Sequence, residues 1–74
     1  MLVKNRIKEL RKFENISIRD LARETGIHYT RLSMAENGRY LLNDQELKRL
    51  CEVLNCDLLV IYPDLKVELD NLRG

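Results

Sequence analysis

Groups that do chemistry are scarce in this 74-residue chain, which has one histidine, two cysteines and three glycines. The glycines, Gly26, Gly38 and Gly74, are dispersed, so there is no glycine-rich loop to cradle a phosphate. His28 has no carboxylate or nucleophile beside it at a recognisable spacing, which leaves acid–base and nucleophilic catalysis without a minimum set of groups. Cys51 and Cys56 are too few for a structural metal site, and His28 lies far away along the chain. Cys51 instead follows Leu47 and Leu50 on an apolar helical stripe, as a small core residue would. So short a chain also leaves little room for a concave pocket. The expectation is a protein that is not an enzyme and uses no cofactor or metal.

Long apolar runs are missing too. Nothing approaches the ~18 residues of a membrane span. The segment Met1-Leu2-Val3-Lys4-Asn5-Arg6 becomes charged before an apolar stretch can build up, unlike a secretory signal. A cytoplasmic protein with no membrane partner is expected. With 45% hydrophobic and 34% charged residues, the composition is that of one small soluble globule rather than a disordered chain. A core of this size supplies only ~3–5 kcal/mol of net stability, which favours a partner subunit.

Net charge is only +1, but its distribution is uneven. Residues 1–40 hold nine Lys/Arg against five Asp/Glu, a surplus of four positive charges. Residues 41–74 hold four against seven, a deficit of three. The first part therefore suits a polyanion, and the second has another task. Lys4, Arg6, Lys8 and Lys12 are explained most simply as a solvated helix face.

Apolar periodicity begins with Val3, Ile7 and Leu10 at helical spacing. Asn15 tolerates a left-handed conformation and can close that helix near Phe13–Glu14. Ser17 is placed to cap a second helix, with Asp20 at its third position, where the helix dipole favours a carboxylate. This helix ends at Thr25-Gly26 after about two turns, and Gly26 supplies the positive φ of a tight turn. His28 begins a third helix of about eight residues that ends at Gly38. Its core side carries Leu32 and Ala35, while Tyr29, Thr30, Ser33, Met34 and Asn37 fall opposite. Asn43 caps a fourth helix, with Glu46 completing a capping box and Leu47, Leu50, Cys51 and Leu54 as the buried stripe. Residues 57–62 are open to a short fifth helix or to a strand. Pro63-Asp64 is good turn chemistry, and residues 65–70 alternate at period two, which favours extended structure.

Two short helices joined by a glycine turn carry the functional signal. A major groove about 12 Å wide admits one helix, while a second lies across its back on the phosphates. The inserted helix needs one dry face and one face that donates, accepts or touches a thymine methyl. Tyr29, Thr30 and Met34 meet that requirement.

Residues 5–56 resemble the DNA-binding domain of Cro/CI-type, or xenobiotic-response-element-type, helix-turn-helix regulators. The resemblance rests on Arg6-Ile7-Lys8-Glu9-Leu10-Arg11, Ile16-Ser17, Asp20-Leu21-Ala22, Thr25-Gly26-Ile27, Leu32-Ser33 and Glu36-Asn37-Gly38-Arg39, in register without insertions. It implies an all-α, lambda-repressor-like bundle of four to five helices, with room for a short C-terminal strand or hairpin. Residues 1–56 would form the DNA-binding domain and residues 57–74 an apolar or extended tail that makes the dimer contact. The implied activity is that of a transcriptional regulator, of repressor type, that binds double-stranded DNA as a homodimer.

Residue by residue, the resemblance places Tyr29, Thr30 and Met34 at base-reading positions, with Arg31 and Ser33 on the same DNA-binding helix. Asn37 matches a phosphate-gripping residue, which acts through side chain and backbone. Arg39 and Tyr40 lie in the loop that follows the sugar-phosphate backbone. Ser17, Ile18 and His28 complete the expected DNA-binding set. Arg11 and Glu36 match a partly buried structural ion pair.

Two departures stand out. Ile18 occupies a position where glutamine is common, and Tyr29 and Met34 stand where polar or basic side chains are frequent. They point to reading through thymine methyls and DNA shape. The other interpretation is an apolar docking patch of Ile18, Tyr29 and Met34, in which the chain is an antitoxin or coactivator that holds a toxin or other protein partner.

Overall fold

The computed structural model describes residues 4–64, and all regular structure among them is helical. Five helices follow in order: α1 (Ile7–Phe13), α2 (Ile18–Thr25), α3 (Tyr29–Glu36), α4 (Asp44–Leu54) and α5 (Leu58–Ile61). The architecture is the expected lambda-repressor-like bundle. Helix α2 packs on α3 and α4, and α4 packs on α5. Ile7, Leu21, Leu32, Ala35, Leu50 and Ile61 are fully buried at its centre, with Leu42, Leu54 and Tyr62 beside them.

Local sequence explains the helix ends. Asn15 is left-handed at φ 56°. There the Asn15 N–H donates to Lys12 O at 3.1 Å and the Ile16 N–H to Arg11 O at 3.0 Å, so two otherwise open carbonyls of α1 are satisfied. Asn55 does the same for α4 at φ 52°, with the Cys56 N–H donating to Cys51 O at 3.1 Å. Asn43 Oδ1 accepts from the Glu46 N–H at 2.8 Å and Glu46 Oε1 accepts from the Asn43 N–H at 3.0 Å, a complete capping box. On the buried side of α4, Leu50 and Leu54 are enclosed, whereas Leu47 and Cys51 are only half-buried.

The segment left open between strand and helix is helical. Its buried positions explain why: Leu58 is half-buried and Ile61 and Tyr62 are buried, an i, i+3, i+4 pattern that a strand cannot present to one face. The Arg6 N–H donates to Ile61 O at 2.8 Å and ties the start of the chain to α5. This changes the expectation for the tail, because Ile61 (0% exposed) and Tyr62 (6%) belong to the core and are not free for a dimer contact. The alternating segment at 65–70 lies outside the described residues.

Replacement of Gly26 has a clear structural cost. It sits at φ 73°, and a Cβ there would stand 3.3 Å from Arg49 Nη1. The contact involves the far end of a flexible side chain and can relax, but the left-handed backbone cannot. Gly26→Ala is therefore expected to cost about 1–2 kcal/mol in urea denaturation. A loss below about 0.5 kcal/mol would mean that the turn can leave the left-handed region without harm.

Cys51 and Cys56 are free thiols, both half-buried. Burial, followed by nearby negative charge, pushes both up from the ordinary thiol value. Among the described residues no group of His, Cys, Asp and Glu is arranged to hold a metal ion. No helix among them is long and apolar enough to cross a membrane.

Candidate nucleic-acid interface

The candidate interface is built on α2, the Gly26 turn and α3. Ser17 Oγ accepts from the Asp20 N–H at 3.1 Å and starts α2. Leu21, Ala22 and Thr25 form its buried side. Thr25 fastens the turn: its hydroxyl donates to Leu21 O at 2.7 Å and accepts from the Ile27 N–H at 3.3 Å. Ile27, 3% exposed, then anchors the turn in the core. Helix α3 consequently leaves the turn in a direction fixed by both sides.

His28 caps α3, with Nδ1 accepting from the Thr30 N–H at 3.2 Å. In neutral imidazole an accepting Nδ1 places the ring proton on Nε2. Along α3, Leu32 and Ala35 are completely enclosed. On the other side Tyr29 is 47% and Met34 41% exposed, Thr30 and Arg31 are exposed, and Ser33 is half-buried. Helices α1, α2 and α4 each carry an acidic residue in the first turn, whereas α3 has none. No carboxylate of its own first turn therefore offsets the positive end of the α3 dipole.

The exit from α3 is equally ordered. Gly38 is left-handed at φ 76°. The Gly38 N–H donates to Ala35 O at 3.0 Å, and the Arg39 N–H to Met34 O at 2.8 Å. Asn37 differs in detail from the expected phosphate grip. Its backbone N–H donates to Ser33 O at 3.2 Å, and one side-chain N–H donates to the same carbonyl at 2.9 Å. Only the rest of its exposed amide remains for a phosphate.

Arg11 and Glu36 fasten α1 to the end of α3. Arg11 Nε donates to Glu36 Oε2 at 3.1 Å and Nη2 to Oε1 at 2.8 Å, a bidentate pair. The side chains are 13% and 6% exposed. Nη1 donates to Ile16 O at 3.1 Å, so the same guanidinium also holds the α1–α2 loop. The hydrogen bond to Glu36 raises the Arg11 pKa, against the opposing effect of burial. Asn5, which sequence reading missed, adds a second tie: its Nδ2 donates to Ala35 O at 2.9 Å and its Oδ1 accepts from the Ile7 N–H at 3.0 Å. Nothing in the local pattern marks a residue 30 positions from its partner.

The structure therefore gathers Tyr29, Thr30, Arg31, Ser33, Met34, Asn37, Arg39 and Tyr40 along α3 and its exit, with Ser17, Ile18 and His28 at the two helix starts. Within this set Ile18 is half-buried and packs against the core, so only part of it faces outward. Arg31 and Tyr40 are paired with each other. The guanidinium carbon lies 4.9 Å from the Tyr40 ring centre, and Nη2 donates to the Tyr40 hydroxyl. Nη2 also donates to Glu46 Oε1 at 3.0 Å. Sequence alone showed Glu46 only as a helix cap.

Residues 7–61 match a protein family described as helix-turn-helix. The chain is 38% identical over 55 residues to the ImmF control region 10 kDa protein of Bacillus phage phi105, a match that covers 74% of this chain and 61% of that protein. It thus spans less than two-thirds of that relative's length.

Proposed function

Because the chain belongs to the helix-turn-helix family, we propose that it is a sequence-specific regulator of transcription, of repressor type, that binds double-stranded DNA as a dimer and inserts α3 into the major groove. The observation that carries this reading is the two-sidedness of α3. Leu32 and Ala35 are sealed in the core, and the other side presents Tyr29, Thr30 and Met34 without an acidic neighbour in the first turn. A phage control-region relative is consistent with a regulatory role. No enzymatic role is proposed.

The base-facing side chains are mostly apolar or small, which suits contact with thymine methyls together with recognition of groove shape. Asn37 and Arg39 are available to phosphates at the exit of α3. A single domain makes few such contacts, so two subunits on a palindrome are needed, with half-sites ~34 Å apart. Leu59, 42% exposed on α5, is the apolar residue offered for the subunit contact.

Selection from randomised duplex DNA with purified protein is expected to recover a palindrome. Gel shifts on the selected site should then show log affinity falling linearly as log salt rises. Absence of any complex at low salt would defeat the proposal. It would favour a second reading, in which exposed Tyr29 and Met34 receive a protein partner such as a toxin. A non-repeated half-site bound by monomer would remove the dimer while leaving DNA binding in place.

A further inference from the structure

We propose that Glu46 is a specificity-determining residue that withholds Arg31 from DNA, an inference that rests on α3 being the DNA-reading helix. Arg31 is the cation of that helix and lies in its first turn. By position alone it would be the strongest reader of guanine, since an arginine fork matches the two acceptors on that base. The structure gives the guanidinium a different occupation.

An arginine has two forks, one formed by Nε and Nη2 and the other by Nη1 and Nη2. Nη2 is common to both and carries two protons. In this chain one goes to the Tyr40 hydroxyl and the other to Glu46 Oε1, 3.0 Å away. Neither fork is then free for a bidentate contact, although the Arg31 side chain is 44% exposed. The planar group also lies over the Tyr40 ring, which limits its rotation.

Charge acts in the same direction. Glu46 is 7% exposed, and its Oε1 also accepts from the Asn43 N–H, so the carboxylate is held in place by the cap of α4. A carboxylate fixed against Arg31 cancels its charge locally. The pair then contributes little to counterion release, the sequence-independent part of DNA affinity. The effect is to keep a flexible cation on the reading face from binding every duplex indiscriminately.

Glu46→Gln tests this, because glutamine can still accept from the Asn43 N–H and keep the cap while the negative charge facing Arg31 is lost. In a dimer, one added phosphate contact per subunit steepens the slope of log affinity against log salt by about 0.9 per subunit. Between 50 and 200 mM salt the variant should therefore lose about tenfold more affinity than wild type, and its ratio of specific to non-specific binding should fall. Tyr40→Phe, which frees only one Nη2 proton and leaves Glu46 intact, should move the slope in the same direction by less. Adding Arg31→Gln to either variant should abolish the change.

Folded Glu46→Gln protein with the wild-type slope and specificity ratio would overturn the proposal. A loss of low-salt affinity in Glu46→Gln would overturn it too, since it would mean that Glu46 helps Arg31 to bind. If wild type forms no DNA complex at low salt, the DNA-binding reading itself fails, which is distinct from a wild type that binds while its variants match it.

Discussion

Arg11→Ala and Glu36→Ala are each expected to lose about 3–5 kcal/mol in urea or thermal denaturation, which leaves either variant largely unfolded at room temperature. Two hydrogen bonds join the guanidinium and carboxylate, at 2.8 and 3.1 Å, and the side chains are 13% and 6% exposed. Removal of one partner strands a charge where water reaches it poorly, and that desolvation dominates the cost. For Arg11→Ala the loss also takes away the donor to Ile16 O. The whole margin of so small a core is ~3–5 kcal/mol, comparable with the expected loss. Replacing both residues together, Arg11→Met with Glu36→Leu, removes the stranded charge and should recover most of the stability. Single variants that lose less than about 1 kcal/mol would make this pair an ordinary screened surface bridge.

Thr30→Glu is expected to abolish most DNA affinity while leaving the fold intact. Thr30 is exposed and occupies the second position of α3, after the His28 cap and Tyr29. A carboxylate there favours the helix through its dipole by about 0.3–1 kcal/mol. Under the proposed DNA-binding mode the same carboxylate would face the duplex and replace a small hydroxyl at a base-reading position. Loss of such a contact is worth about 1–3 kcal/mol per half-site. In the proposed dimer both subunits would carry the change, so a palindrome would lose about 2–6 kcal/mol, at least about thirtyfold in affinity. Gel shifts beside thermal melts separate the two effects. Binding equal to wild type, in a protein of unchanged melting temperature, would remove α3 from the groove.

Much of the frame was legible in the residues because helix ends are decided locally. Ser17, Gly26, His28 and Asn43 each act within about four positions of their own place in the chain. Gly38 likewise ends α3 locally, with its own N–H donating to Ala35 O and that of Arg39 to Met34 O. The Arg11–Glu36 pairing was legible only through resemblance to a family, since 25 residues separate the partners. Asn5 had no such guide. Its bond to Ala35 O depends on the start of the chain being brought against the end of α3, which no local pattern encodes.

Residues 57–62 mark where sequence reading reaches its limit. A short apolar run is compatible with strand or helix until something decides which faces are covered. Here the Arg6 N–H reaches Ile61 O, and the core takes Ile61 and Tyr62 together with part of Leu58. That spacing is helical, and it withdraws two apolar residues from any partner subunit.

By itself the sequence determined the helices α1 to α4, their caps, the tight turn at Gly26 and the division of α3 into an apolar and an outward side. These follow from backbone preferences and from periodicity, which act over a few residues. Only the tertiary structure decided that α5 is a helix, that Asn5 holds the end of α3, and that Glu46 and Tyr40 occupy the charge of Arg31. Those outcomes depend on which distant surfaces meet. The Glu46 carboxylate can meet the Arg31 guanidinium only after α4 has packed, because the two residues stand 15 positions apart and their encounter is left to the fold.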